Sequence, residues 1–83
     1  MLNVVYSNQA LRFLKNTDES LARRILDKIE RLRVNPIIHD SKRVENTKLF
    51  RVRIGNCRIL YEVDHKKNTL GIVKIDKRPR AYQ

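Results

Sequence analysis

Residues 49 to 64 read Leu49-Phe50-Arg51-Val52-Arg53-Ile54-Gly55-Asn56-Cys57-Arg58-Ile59-Leu60-Tyr61-Glu62-Val63-Asp64, and their alternation decides the fold. On both sides of Gly55-Asn56 the apolar residues recur with the two-residue period of a β-strand. The Gly-Asn pair suits a type II′ hairpin turn, in which glycine takes the first central position. A turn of that length sets the register: Ile54 opposite Cys57, Arg53 opposite Arg58, Val52 opposite Ile59, Arg51 opposite Leu60 and Phe50 opposite Tyr61. One face of the hairpin then carries Phe50, Val52, Ile54, Cys57, Ile59, Tyr61 and Val63 and must be covered. The other face carries Arg51, Arg53 and Arg58.

Upstream, the chain supplies the cover. Residues 2 to 6 are β-branched and aromatic and read as a short strand ending at Ser7, a helix cap. Ala10, Leu11, Phe13 and Leu14 then recur at helical spacing until about Asn16. Thr17 or Asp18 caps a second helix, with Leu21, Ala22, Ile25, Leu26, Ile29 and Leu32 as its apolar stripe and Arg23, Arg24, Lys28 and Arg31 turned to water. Pro36 ends it. Residues 37 to 47 read as a surface loop. Downstream, His65-Lys66-Lys67-Asn68 leads into a strand over about Thr69 to Asp76.

That last strand has apolar residues on both parities, Leu70 and Ile72 on one and Val73 and Ile75 on the other, which favours a central position in the sheet. If Val73 and Ile75 face the helices, Lys74 and Arg78 join the arginine face. The expected fold is a single α+β domain over residues 1–83: an N-terminal strand, an αα-hairpin and a mainly antiparallel sheet of three to four strands.

The 83 residues hold 19 Lys+Arg against 9 Asp+Glu, a formal charge of +10, and the excess is uneven. Residues 1 to 41 hold 7 basic and 5 acidic side chains, residues 42 to 83 hold 12 and 4. Such asymmetry points to nucleic acid or another polyanion at the C-terminal half; a solvated basic face is the alternative. Cys57 is the single cysteine, so no intrachain disulfide forms, and no Cys/His pair has metal-ligand spacing. No metal or other cofactor is expected. A single cysteine fits a reducing cytoplasm, the expected location, and the start, Met1 to Tyr6, reads as neither a signal peptide nor a membrane span. Neither a P-loop nor a nucleophile elbow is found, and His39 and His65 fall in expected loops.

Arg53 opposite Arg58 is a cross-strand like-charge pair that costs the hairpin a few tenths to about 1 kcal/mol. A bound phosphate reverses that sign, because guanidinium forks match phosphate oxygens. Glu62, Asp64 or Asp76 could instead neutralise the cluster.

The run Phe50 to Asp64, followed by Lys77-Arg78-Pro79-Arg80-Ala81-Tyr82, resembles the C-terminal signature of RelE/ParE-superfamily toxins, most of all the short archaeal RelE proteins. The likeness covers nearly the whole chain in element order. It departs at Cys57, where an aromatic often stands, and at Lys77, where histidine often stands. What the resemblance implies is a toxin that cuts mRNA in the ribosomal A site by attack of a ribose 2′-OH on the adjacent phosphate. By the same resemblance the family's basic residues fall on Arg51, Arg53, Arg58 and Arg78 and its C-terminal tyrosine on Tyr82; Arg53, Arg58, Arg78 and Tyr82 are the expected catalytic set, and Arg51, Lys48, Lys74, Lys77 and Arg80 the expected phosphate contacts.

Arginine, with a pKa above ~12, supplies fixed positive charge and is a poor proton carrier. Tyr82 is the proton handler or base-stacking platform, though a phenol of pKa ~10 needs an electropositive setting to act as a base. The implied partners are the ribosome, mRNA and a cognate acidic RelB-like antitoxin, with no membrane. A ParE-like gyrase inhibitor shares the fold, and a non-catalytic basic RNA- or DNA-binding module shares the charge.

Overall fold

The computed structural model describes residues 1–77, which form β1 (Asn3–Tyr6), α1 (Asn8–Asn16), α2 (Glu19–Val34), β2 (Lys42–Arg43), β3 (Phe50–Ile54), β4 (Cys57–Asp64) and β5 (Thr69–Lys77). All five strands share one mixed sheet in the order β1-β5-β4-β3-β2, with β1 parallel to β5 and the other pairs antiparallel. The expected three to four strands are therefore five. The first strand joins the same sheet, and the segment expected to be loop contains β2, too short to leave a periodic signal.

Each boundary has a local cause. Ser7 caps α1 by accepting from the Ala10 N–H, and Asp18 caps α2 by accepting from that of Leu21. Beyond β1 the flank of β5 is met by side chains of the α1 start. The Ser7 hydroxyl donates to the Val73 carbonyl at 2.7 Å, while the Gln9 carboxamide donates to the Ile75 carbonyl and accepts from its N–H. The Gln9 amide thus stands in for a peptide group of a missing strand. In the hairpin turn Gly55 takes φ 56° and Asn56 keeps negative φ, the sign pattern of a glycine-first turn.

The hairpin register is as expected, from Ile54 with Cys57 through Phe50 with Tyr61. Val52, Ile54, Cys57, Ile59 and Tyr61 are buried under Ala10 of α1 and Ile25, Ile29 and Leu32 of α2, while Phe50 is half-buried and stacks on Tyr61 at 5.7 Å between centroids. Strand β5 is central, as its two-sided apolar pattern implies. Its parity differs from the expectation. Leu60 pairs with Lys74 but Tyr61 pairs with Ile72, so Val73 is an extra residue on β5. This bulge puts Leu70, Ile72 and Ile75 together in the core and leaves Val73 37% exposed. Two expectations for α2 also change: Leu26 is exposed, and Lys28, expected in water, is largely covered and bonds Asp40 at 3.0 Å.

That Lys28–Asp40 pair and the Tyr61 hydroxyl dock the segment after α2. The hydroxyl lies 2.7 Å from Ser41 Oγ and donates to the Pro36 carbonyl at 2.6 Å. Tyr61→Phe leaves that acceptor without its donor, and urea unfolding should show a loss of about 1–3 kcal/mol. Asp40 is held below its ordinary 3.8, first by the Lys28 hydrogen bond. A depressed carboxylate stabilises the fold above its unfolded pKa and less as pH falls through the folded value. NMR titration of Asp40 should give a midpoint under 3.8 that rises in Lys28→Met.

Candidate phosphate-binding face

One face of the sheet is packed against the helices, and cross-strand pairing lines up the side chains of the other in rows. The first row is Lys42, Arg51, Leu60 and Lys74; the second is Arg53, Arg58 and Asp76; the third is Val5, Gly71 and Glu62. Arg51, Arg53, Arg58 and Lys74 are thus brought onto one face, as their sequence pattern requires. Lys42 joins them unannounced. It lies in the expected loop, and only the pairing of β2 with β3 reveals its place.

Of the three carboxylates able to neutralise the cluster, the fold brings in Asp76. It accepts from Arg58 Nε at 2.9 Å and from Nη2 at 3.4 Å, and lies 3.7 Å from Lys74 Nζ. Arg51 and Arg53 form no ion pair among the described residues. Glu62 folds over Gly71 instead, its Cγ 3.3 Å from where a Cβ there would stand.

Two expected phosphate contacts lie elsewhere. Lys77 pairs with Cys57, whose side chain is on the helix side, and lines a concavity there with Gln9, Arg12, Phe13, Asn16, Thr17 and Asp18. Lys77 shares the parity of Ile75, so the orientation of β5 that buries Ile75 also turns Lys77 to the helix side. Lys48 sits in the loop before β3, in a separate hollow with Arg43, Glu45, Asn46 and Thr47. Arg78, Arg80 and Tyr82 lie outside the described residues.

The array is rich in fixed charge and poor in proton carriers. His39 is outside it, 2.7 Å from Asp40. Burial pushes the Cys57 thiol up from its ordinary pKa, which keeps it protonated and unreactive among core residues. Among the described residues no cluster of three or more His, Cys, Asp or Glu could hold a metal, and no helix is long and apolar enough to cross a membrane. Chemically, such a face can bind a phosphodiester and stabilise negative charge that develops on it.

A family model described as the ParE toxin of type II toxin-antitoxin systems, parDE, matches residues 4–82. A Methanocaldococcus jannaschii protein named "Putative toxin RelE1" is 34% identical over 85 residues, covering 98% of this chain and 94% of that protein. The archaeal RelE–RelB complex from Pyrococcus horikoshii contains a chain similar at TM-score 0.84 and 27% identity, with 95% of this chain and 97% of that chain covered. The isolated Escherichia coli RelE toxin superposes with TM-score 0.85 at 15% identity, covering 96% and 87%, a likeness of fold.

The like-charge pair gives a test of what the face is for. Arg53→Thr relieves the repulsion with Arg58 and should stabilise the isolated protein by a few tenths to about 1 kcal/mol, a gain that shrinks as salt is added. Thermal melts at low and high ionic strength read this directly.

Proposed function

The chain belongs to the RelE/ParE family of toxins of type II toxin-antitoxin systems, and from that premise we propose that it is an endoribonuclease that cuts mRNA on the ribosome. The observation that carries the reading is the gathering of Lys42, Arg51, Arg53, Arg58 and Lys74 on the sheet face opposite the helices, with Arg53 directly opposite Arg58. A fold selected for stability alone tends to avoid that opposition, whereas a phosphate bound between the strands turns it into attraction.

In this reading a ribose 2′-OH attacks the neighbouring phosphorus and the 5′-oxygen leaves. Arg53, Arg58 and Arg78 stabilise the extra negative charge of the pentacoordinate transition state, while Arg51, Lys42 and Lys74 hold flanking phosphates. Tyr82 carries a proton or stacks on a base. Because arginine moves no proton at neutral pH, the ribosome supplies much of the in-line geometry. The chemistry runs without a metal or cofactor in a cytoplasmic protein.

An acidic RelB-like antitoxin is the proposed partner and control. The similar Pyrococcus horikoshii chain was solved as a complex with RelB, and a chain of charge +10 gains from an anionic cover. The match to the ParE toxin model favours a second reading, inhibition of DNA gyrase by the same fold.

Primer extension on mRNA in a purified translation system separates the two. Codon-phased cuts are expected, falling by about 100-fold or more in Arg53→Ala, the scale of losing one transition-state donor. Intact mRNA together with blocked DNA supercoiling would establish the gyrase reading instead.

A further inference from the structure

Among the described residues, Asp76 is the one carboxylate that the second row brings into contact with the cations of the proposed phosphate face. A carboxylate there opposes any bound anion by simple charge, and yet the fold takes a specific step to place it. If β5 alternated regularly after Leu70 and Ile72, Lys74 and Asp76 would point into the core and Ile75 outward. The extra residue Val73 reverses this, burying Ile75 and setting Lys74 and Asp76 beside Leu60 and Arg58. The same bulge that completes the core therefore delivers the carboxylate to the array.

The contact is directional. Both oxygens of Asp76 are used along one edge of the Arg58 guanidinium, at 2.9 Å to Nε and 3.4 Å to Nη2, and Lys74 Nζ lies 3.7 Å from Oδ2. The side chains of Arg58 and Asp76 keep 35% and 23% of their exposure, so solvent only partly weakens the pair. A guanidinium is a rigid plane with two forks, and engaging the Nε/Nη2 edge fixes the direction of the Nη1/Nη2 fork. A cation whose rotamer is already set loses less freedom when an anion arrives.

We propose that Asp76 is a positioning residue for phosphate, holding Arg58, and more loosely Lys74, in the orientation the anion requires. The role rests on the phosphate-binding reading of this face. In the unliganded protein Asp76 also offsets the repulsion between Arg58 and Arg53. The array remains cationic, with Lys42, Arg51, Arg53, Arg58 and Lys74 against Asp76.

Plain electrostatics and positioning predict opposite signs. The probe is a short single-stranded RNA with 2′-O-methyl groups, which cannot be cleaved, and its affinity is read by fluorescence anisotropy. Removing a negative charge should tighten binding if Asp76 is only a charge. Positioning requires Asp76→Ala to bind about tenfold more weakly, with Asp76→Asn between it and the wild type, and requires that weakening to vanish in an Arg58→Ala background. The ¹⁵N resonance of the Arg58 side-chain Nε–H gives an independent readout: slow exchange with water in the wild type, fast exchange in Asp76→Ala. Melting curves identify any variant that fails to fold, and the Nε–H exchange in Asp76→Asn then carries the comparison. Wild-type binding with equal or tighter binding by a folded Asp76→Ala overturns the role of Asp76. A wild type that binds no probe overturns the phosphate reading and this role with it.

Discussion

The pleat of a sheet whose described helices pack on one side governs this molecule. Once Val52, Ile54, Cys57, Ile59 and Tyr61 are committed to the helix-facing side, their neighbours Arg51, Arg53 and Arg58 have nowhere to go but the other. The turn at Gly55 enforces that division, because slipping the hairpin by a single residue would drive guanidinium groups beneath α2. Core and basic face are two consequences of one alternation, and the register cannot shift for one without shifting for the other.

This explains which parts of the structure were legible. The hairpin could be read because its turn is short, its glycine is placed where positive φ is needed, and its two strands alternate without interruption. Both helices could be read from caps and periodicity together. Strand β5 could be located but not oriented: its apolar residues occupy both parities, and a bulge at Val73 leaves no local mark in a run of β-branched side chains. The outward turn of Val73 follows from that ambiguity, whereas the helix-side position of Lys77 follows from the parity it shares with the buried Ile75. Strand β2 has only two residues, both basic and exposed, so Lys42 and Arg43 look no different from loop. Lys28 was misplaced because a tertiary partner, Asp40, lies beyond the reach of helical periodicity.

The likeness to the Escherichia coli RelE toxin at 15% identity and TM-score 0.85 shows how little of a sequence this architecture needs to keep. Alternation, caps and a tight turn tolerate wholesale exchange of side chains provided their pattern survives. A functional surface is less tolerant, since its residues answer to a ligand and not only to each other. On the face opposite the helices, the guanidinium groups of Arg51 and Arg53, which form no ion pair among the described residues, are the local departure from fold-only design, and departures of this kind are expected where a protein acts.

The position of β5 has a bearing on how the protein comes into being. It lies between β1, to which it runs parallel, and β4, although it is the last of the described strands to be made. Tyr6 waits for Ile72, and Gln9 for Ile75, across more than sixty residues of chain. During synthesis, then, β1 and the α1 start have no strand to lean on until residues 69–77 have left the ribosome. Contacts so distant in sequence close late. Before that closure, Lys74 and Asp76 have not yet reached Leu60 and Arg58, so the rows of the open face stay incomplete even after β3 and β4 have formed their hairpin.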